Sequence, residues 1–356
     1  MAATGTHTRL ANVSVIVPAR NEETCLGICL ESLVAQTGVD SEIIVVDDHS
    51  TDRTREIAMS FARVRVIEAG PLPNGWTGKN NAVVSGARIA KGEWLLFTDA
   101  DTVHLPGSLA RSLAEAEHTG AALLSYSPEQ IVDGFWEKAV MPVIFAELAS
   151  KYRPSQISDP KSSAAAANGQ YILVTREAYD AVGGHTAVSK SLLEDVELAR
   201  AVKQSGRKIF FRFGGDAVRT RMYRNFPQLR EGWTKNLAIL FPSPGWLALW
   251  RLIECVLVVA SLCFLIVSIA GRDFRYAPLY LLVPAFTFRR IARAHFSWSA
   301  TLLAPFGLPI FAYLLVRSKR GHANGRVSWK GRTYGREDPP VNQPCDHVPT
   351  PAGRLS

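Results

Sequence analysis

The chain has 356 residues, 47% hydrophobic and 20% charged, with a formal net charge of +8. That balance excludes a disordered chain and a polytopic transporter, and the length allows one large domain or two ordinary ones. Five irregularly spaced cysteines exclude a disulfide scaffold, and no C-x-x-C or Cys/His pattern suggests zinc.

Residues 1–11 read as a flexible N-terminus without the apolar run of a signal peptide, so the domain that follows is expected in the cytosol. Val13–Val17 is a β-branched run interrupted only by Ser14, the mark of a strand covered on both faces. Glu22–Ala35 reads as a helix with Leu26, Leu30 and Leu33 on one face. A second strand is predicted at Glu42–Val46. A helix follows at Asp52–Ala62, with Ser50 or Thr51 as its cap. A short strand at Val64–Ile67, a helix at Asn80–Ala90 and a buried strand at Trp94–Phe97 continue the alternation. This order predicts an α/β domain over residues 12–240 with a doubly wound, mostly parallel sheet.

In such sheets ligands sit beyond the carboxyl ends of the strands. There the sequence places Pro18-Ala-Arg-Asn-Glu22, Asp47-Asp48-His49-Ser50 and Asp99-Ala-Asp101. The first turn lacks G-x-G-x-x-G, and no Walker P-loop is present, so neither a dinucleotide nor a P-loop site is expected. One such Asp is ordinarily a turn former or a helix cap. Three acidic clusters at three strand ends indicate a site.

Asp99 and Asp101, at i and i+2, can share one hard cation, Mg²⁺ or Mn²⁺, with substrate phosphates and water completing it. That chemistry implies a diphosphate-bearing substrate. Lys79, in Gly75-Trp-Thr-Gly-Lys79, either reaches the same phosphates as a point charge or is a solvated loop lysine. Glu194 and Asp195 start a helical pattern through Ala199 and Val202. They are there either as acids favoured by the helix dipole or to supply a general base. Asp133–Asp159 carries apolar residues at mixed helical spacing, which read as core or a membrane-lying face, with a lipid-acceptor groove compatible.

Residues 200–240 carry ten Lys or Arg against Asp216 and Glu231, as expected of a domain resting on an anionic membrane face. No nucleic-acid-binding motif accompanies this charge, so nucleic acid is not an expected partner. From Trp246 to residue 317 the chain reads as a membrane segment. Cys255–Ala270 is uncharged and long enough to span once Trp246–Leu252 is added, with Arg251 and Glu254 near the cytosolic interface. Tyr276–Phe288 is a short span, and Phe296–Val316 is interrupted by Pro305-Phe-Gly-Leu-Pro309. The basic loop at Arg289, Arg290 and Arg293 and the basic tail 318–356 both belong in the cytosol. Three full crossings cannot satisfy both, so the Pro-broken stretch is expected to be re-entrant or interfacial.

Val15–Glu22, Val45–Asp52, Phe97–Asp101 and Leu193–Leu198 occur in order, and as a set they resemble the signature of glycosyltransferase family 2, with its GT-A fold. Gly75–Lys79 and Val327–Tyr334 are similar to the membrane-anchored branch that includes carotenoid- and hopanoid-associated glycosyltransferases and, more distantly, ceramide glucosyltransferase. The resemblance implies a nucleotide-sugar donor, with a UDP-sugar expected, held by Pro18, Glu22, Asp47, Asp48, Lys79 and Asp99. It implies a metal on Asp101 helped by Asp99, and Asp195 as the base of an inverting hexosyl transfer to a lipid at the cytosolic membrane face. Trp233 and Glu194 are the acceptor-side candidates. Gln228-Leu-Arg-Glu-Gly-Trp233 departs from the Q/R-x-x-R-W motif of processive and ceramide enzymes, so Trp233 either stacks on an acceptor or anchors the chain at the interface. A processive polysaccharide synthase and a non-catalytic membrane scaffold are the alternatives. The first needs a pore, and the second would have lost its carboxylates.

Overall fold

The computed structural model describes residues 12–325 and the backbone of residues 327–329 and 332–334. The N-terminus expected to be flexible, Arg326, Lys330 and Arg336 of the tail, and the side chains of Val327–Tyr334 lie outside the described residues.

The chain runs β1 (Asn12–Ala19), α1 (Leu26–Val34), β2 (Asp40–Asp47), α2 (Thr54–Met59), β3 (Val64–Glu68), α3 (Gly78–Ile89), β4 (Trp94–Phe97), β5 (Thr102–His104), α4 (Ser108–Thr119), β6 (Leu123–Ser127) and β7 (Glu129–Gln130). It continues through α5 (Phe135–Lys151), α6 (Pro154–Ser158), β8 (Ile172–Thr175), α7 (Arg176–Ala181), α8 (Gly184–Ala187), α9 (Glu194–Gln204), β9 (Ile209–Phe213), β10 (Val218–Thr220) and α10 (Phe226–Leu240). The last elements are α11 (Pro244–Ala270), α12 (Ala277–Ala292), α13 (Trp298–Ala323) and a hairpin of β11 (Val327–Trp329) and β12 (Arg332–Tyr334).

Seven strands form the main sheet in the order β3-β2-β1-β4-β8-β6-β9. All pairs are parallel except those of β8, which runs against both β4 and β6. Apart from Ser14, the inner part of β1 is apolar because the sheet is covered twice. Val13, Val15 and Val17 pack with Leu26 and Leu30 of α1, while Ile16 packs on the opposite face with Ala82 and Val83 of α3. Parallel registers set Ala19 beside Asp47 and Ile16 beside Phe97, so β1, β2 and β4 end at one edge. A small sheet, β5-β10-β7, lies just past that edge.

Two local expectations need correction. The first helix starts at Leu26, not Glu22, because Glu22–Cys25 forms a turn closed by the Cys25 N–H on the Glu22 carbonyl at 3.1 Å. Neither Ser50 nor Thr51 caps α2. The Asp52 carboxylate takes the Thr54 N–H at 3.0 Å, and the helix starts there.

The C-terminal helices do not form a layer separate from residues 12–240. Val140, Val143 and Ile144 of α5, Leu229 and Leu237 of α10, and Leu308, Phe311 and Leu315 of α13 share one buried core. Ser318 donates to the Thr234 carbonyl at 2.6 Å and accepts from the Ala238 N–H at 2.8 Å. The expected boundary near residue 240 is therefore not a structural one. Nor is α13 broken: Pro305 and Pro309 lie inside one continuous helix. Each proline removes one backbone bond, and burial of the helix against α5 and α10 outweighs that loss. At Gly307 an added Cβ would sit 1.9 Å from the Ala139 carbonyl oxygen, so the helices touch backbone to backbone.

Among the described residues, two helices are long and apolar enough to cross a membrane. The most apolar window of α11 has a mean hydropathy of 2.8 and is only 6% covered by the protein. That of α13 has 1.8 and is 50% covered, as its contacts with α5 and α10 require. Arg251 and Glu254 of α11 pair with each other and with Glu147 of α5 and Arg290 of α12. Thr287 adds a 2.7 Å hydrogen bond to Glu254.

Candidate active site

A cavity of about 1110 Å³ opens at the carboxyl edge of the sheet. Pro18 at the end of β1, Glu22 after it, Asp48 after β2, Asp99 and Asp101 after β4, Lys79 at the start of α3, and Glu194 and Asp195 at the start of α9 all line it. Residues scattered over nearly 180 positions thus meet because parallel strands end together and two helices begin there.

The first turn is held by its neighbours. The Glu22 N–H donates to Thr54 Oγ1 at 2.7 Å, and Arg20 Nη1 donates to the Asp48 carbonyl at 2.7 Å. Asn21 and His49 take left-handed backbone, with φ of 53° and 55°, where Asn and His are tolerated better than most residues. Asp47 does not line the cavity. It is buried, its carboxylate takes the Ser50 N–H at 3.2 Å, and it lies 3.9 Å from Arg55.

Lys79 is not a solvated loop residue. Its ammonium lies 2.8 Å from Asp99 Oδ1 and 3.1 Å from Glu194 Oε1. Burial works against its charge, but Asp99 and Glu194 outweigh burial and hold it protonated well above the ordinary lysine range. Thr77 caps α3 through the Asn80 N–H at 3.1 Å. The fully buried Asn80 amide donates to the carbonyls of Val188, Ser189 and Ser191, tying the start of α3 to the segment that leads into α9. Lys79 and Glu194 are thereby brought together.

Asp195 accepts the Gly169 N–H at 2.9 Å on one oxygen and the Val196 N–H at 2.8 Å on the other. Burial, and then the adjacent Glu194 charge, raise its carboxyl to about 6, against the opposing pull of Lys79. Burial also raises Glu194, but Lys79 and Lys235 reverse that and hold it below the usual glutamate range. The two acids are therefore unlike: Glu194 is a fixed negative partner of lysines, and Asp195 titrates near neutrality. A Cβ at Gly169 would stand 3.0 Å from Lys79 Nζ and 3.5 Å from Asp195 Oδ2, so any larger residue crowds the pair.

Trp233 reaches the cavity only with an edge. Its indole is 2% exposed, packed edge-on to Phe145 and Tyr223, with Nε1 donating to Met141 Sδ at 3.4 Å. Burial rules out an interfacial anchor and leaves no open ring face for stacking. The sequence reading missed Asn80, Gly169, Gln170 and Lys235, all at or next to the cavity. The Asn-Asn pair after Lys79 was the available signal for the first, and no local pattern marks the others.

Asp99 and Asp101 supply only oxygen donors, which suits Mg²⁺ or Mn²⁺ when phosphate and water complete the shell. Among the described residues, no group of three or more His, Cys, Asp or Glu side chains forms a ready metal site, and Lys79 already engages one Asp99 oxygen. A cation here would thus be shared with a substrate rather than caged by protein.

A sheet-edge site of this kind, with acidic turns after β1, β2 and β4 and acids opening α9, is the arrangement of the GT-A fold. The model of the glycosyl transferase family 2 matches residues 14–183, just under half of the chain. The 4,4'-diaponeurosporenoate glycosyltransferase of Staphylococcus aureus (strain USA300) is 28% identical over 338 residues, covering 90% of this chain and 88% of the relative. The mannosyltransferase PcManGT of Pyrobaculum calidifontis, solved with GDP-Man and Mn²⁺, superposes with a TM-score of 0.52 at 17% identity. The match covers 88% of this chain and 87% of that one, and it shows the shared fold.

Proposed function

We propose that the protein transfers one hexosyl unit from a nucleotide sugar, expected to be a UDP-sugar, to a lipid at the cytosolic face of the cell membrane, with inversion. The observation that carries this reading is one cavity joining the acidic turns to Asp195 and running on to Phe145, Leu148 and Tyr152 of the α5 region and Ala294 after α12. The uncovered apolar surface of α11 would lie in the bilayer beside it. The relative named for diaponeurosporenoate supports an acceptor of that carotenoid kind. Transfer of a single sugar is favoured over polymerisation because one long apolar helix is uncovered and the other packs on the domain.

In this reading Pro18, Glu22 and Asp48 border the nucleoside, and Asp99 and Asp101 hold Mg²⁺ or Mn²⁺ beside the diphosphate. A cation there neutralises the charge that develops on the leaving nucleotide. Lys79, held between Asp99 and Glu194, fixes the geometry of both carboxylates. With a hydroxyl acceptor, Asp195 accepts the proton of the attacking oxygen as the new bond forms opposite the departing phosphate; a carboxylate acceptor would attack without that proton transfer. One base suffices, since a nucleoside diphosphate leaves without protonation, unlike the alkoxide of a glycosidase.

The test uses the full chain in detergent with membrane lipid extract and a panel of UDP- and GDP-sugars, products being read by mass spectrometry. One donor should yield a lipid one hexose heavier, and Asp195→Asn should not form it. Release of free sugar without lipid product would overturn the acceptor assignment, and inertness toward every donor would overturn the transferase reading.

A further inference from the structure

Beneath the Asp99–Asp101 turn runs a buried chain of hydrogen bonds that the reaction does not itself require. Thr102 Oγ1 donates to the Asp99 carbonyl at 2.7 Å, and Thr220 Oγ1 donates to the Asp101 carbonyl at 3.2 Å. Gln170 Nε2 donates to Thr220 Oγ1 at 3.2 Å, and Thr98 Oγ1 donates to the Gln170 carbonyl at 2.8 Å. Thr98 and Thr102 lie 2.9 Å apart, with His104 Nε2 3.1 and 3.2 Å from them. Both hydroxyl protons are committed to carbonyls, so His104 donates from Nε2. Burial keeps this ring neutral. Thr98, Thr102, His104, Gln170 and Thr220 are each 4% exposed or less.

The far end of the chain reaches the base. Gln170 follows Gly169, whose N–H holds Asp195, and the Gln170 N–H closes the same turn on Asn168 Oδ1 at 3.0 Å. The Gln170 side chain thus ends on the clamp of the Asp101 carbonyl, while its backbone belongs to the turn that orients Asp195. We propose that Gln170 and Thr220 are positioning residues that lock the Asp99–Asp101 turn to the Asn168–Gly169 turn, fixing the separation between the donor-side carboxylates and Asp195. This rests on the transferase reading above. Neither residue touches a reacting atom. Both act through backbone, so their loss degrades alignment rather than removing a catalytic group.

The test compares Thr220→Val, Thr220→Ser and Gln170→Glu with the wild type, using the full chain, membrane lipid extract and the donor sugar that the wild type accepts. Valine removes the hydroxyl at nearly constant shape, serine keeps it, and glutamate loses the Nε2 donor. Losing two neutral hydrogen bonds predicts a fall in kcat/KM of about tenfold or more for Thr220→Val, and Gln170→Glu, which gives up the amide donor and buries a carboxyl, should fall at least as far, with Thr220→Ser within about twofold of wild type. The readout that a merely structural role would not move is the coupling to Asp195. In an Asp195→Asn background, Thr220→Val should lower kcat by less than about twofold, because the group it aligns is already gone. Thermal midpoints and the folded fraction are measured for each variant. If Thr220→Val does not fold, Gln170→Glu carries the same comparison. Wild-type turnover in Thr220→Val or Gln170→Glu, a serine variant as impaired as valine, or full additivity with Asp195→Asn would each overturn the positioning role while leaving the transferase reading intact. A wild type that transfers no sugar overturns both.

Discussion

If Asp195 is the base, the rate of transfer to an alcohol acceptor must follow its ionisation. Burial and the Glu194 charge set its carboxyl at about 6, so the active, deprotonated form predominates at neutral pH and is lost as pH falls through that value. Each pH unit below about 6 should lower turnover roughly tenfold. The assay is turnover at saturating donor from about pH 5 to about pH 8. Asp195→Asn keeps the shape and should still accept the Gly169 N–H, so the site should stay assembled. It cannot take a proton, which predicts a loss of ~10²–10⁴ in kcat and a flat acid limb, with little change in donor affinity. A carboxylate acceptor brings no proton to remove, so comparing alcohol with carboxylate acceptors separates loss of the base from loss of geometry. A wild-type profile flat down to pH 5, or an acid limb that persists in Asp195→Asn, would refute the assignment and move the test to Glu194.

Lys79→Met removes the ammonium between Asp99 and Glu194. Since Lys79 holds the Asp195 carboxyl down, the acid limb should move to higher pH, and an unmoved profile would count against the pairing. Chelation should abolish donor turnover, and Mn²⁺ or Mg²⁺ should restore it; full activity in excess chelator would exclude the cation from Asp99 and Asp101. Gly307→Leu drives a side chain into the Ala139 carbonyl, already 1.9 Å from an added Cβ, and should destabilise the protein by about 1–3 kcal/mol or more in thermal unfolding, where an unchanged midpoint would detach α13 from α5.

The legible part of the site was the part written in local order. Pro18, Glu22, Asp48, Asp99 and Asp101 follow apolar strands, and strands of one parallel sheet end together, so their convergence follows from pattern alone. Asp195 stood out through a motif that resembles one of glycosyltransferase family 2, and it lies in the same cavity as the acidic turns. What could not be read was pairing. Nothing in Gly75–Lys79 says that its ammonium settles between Asp99 and Glu194, because the register of α3 against α9 is set by Asn80 on three carbonyls more than 100 residues away. Asp47 and Asp48 are indistinguishable in sequence, yet strand alternation turns one carboxylate into the second turn and the other into the cavity. Trp233 shows the opposite error: a Trp near a membrane segment invites an interfacial reading, and only packing against Met141, Phe145 and Tyr223 reveals a core residue.

The Pro305 and Pro309 pair shows why the C-terminal organisation was misread. Proline disfavours a helix interior by about 3 kcal/mol when the helix must stand alone, and sequence patterns judge each segment as if it did. In α13 much of the apolar side faces protein: Leu308, Phe311, Leu314 and Leu315 are fully buried against α5 and α10, and the helix is held by tertiary contacts. The same contacts alter what the apolar helices are for. Arg290 of α12 ties that helix to Glu147 of α5, and Arg290, Arg293, Ala294 and His295 line the cavity that holds Asp195. A chain cut before Trp246 would expose the inner faces of α5 and α10 and lose one wall of the cavity. The C-terminal apolar helices are therefore part of the site's construction, and a ligand that enters from their side arrives where the carboxylates already stand.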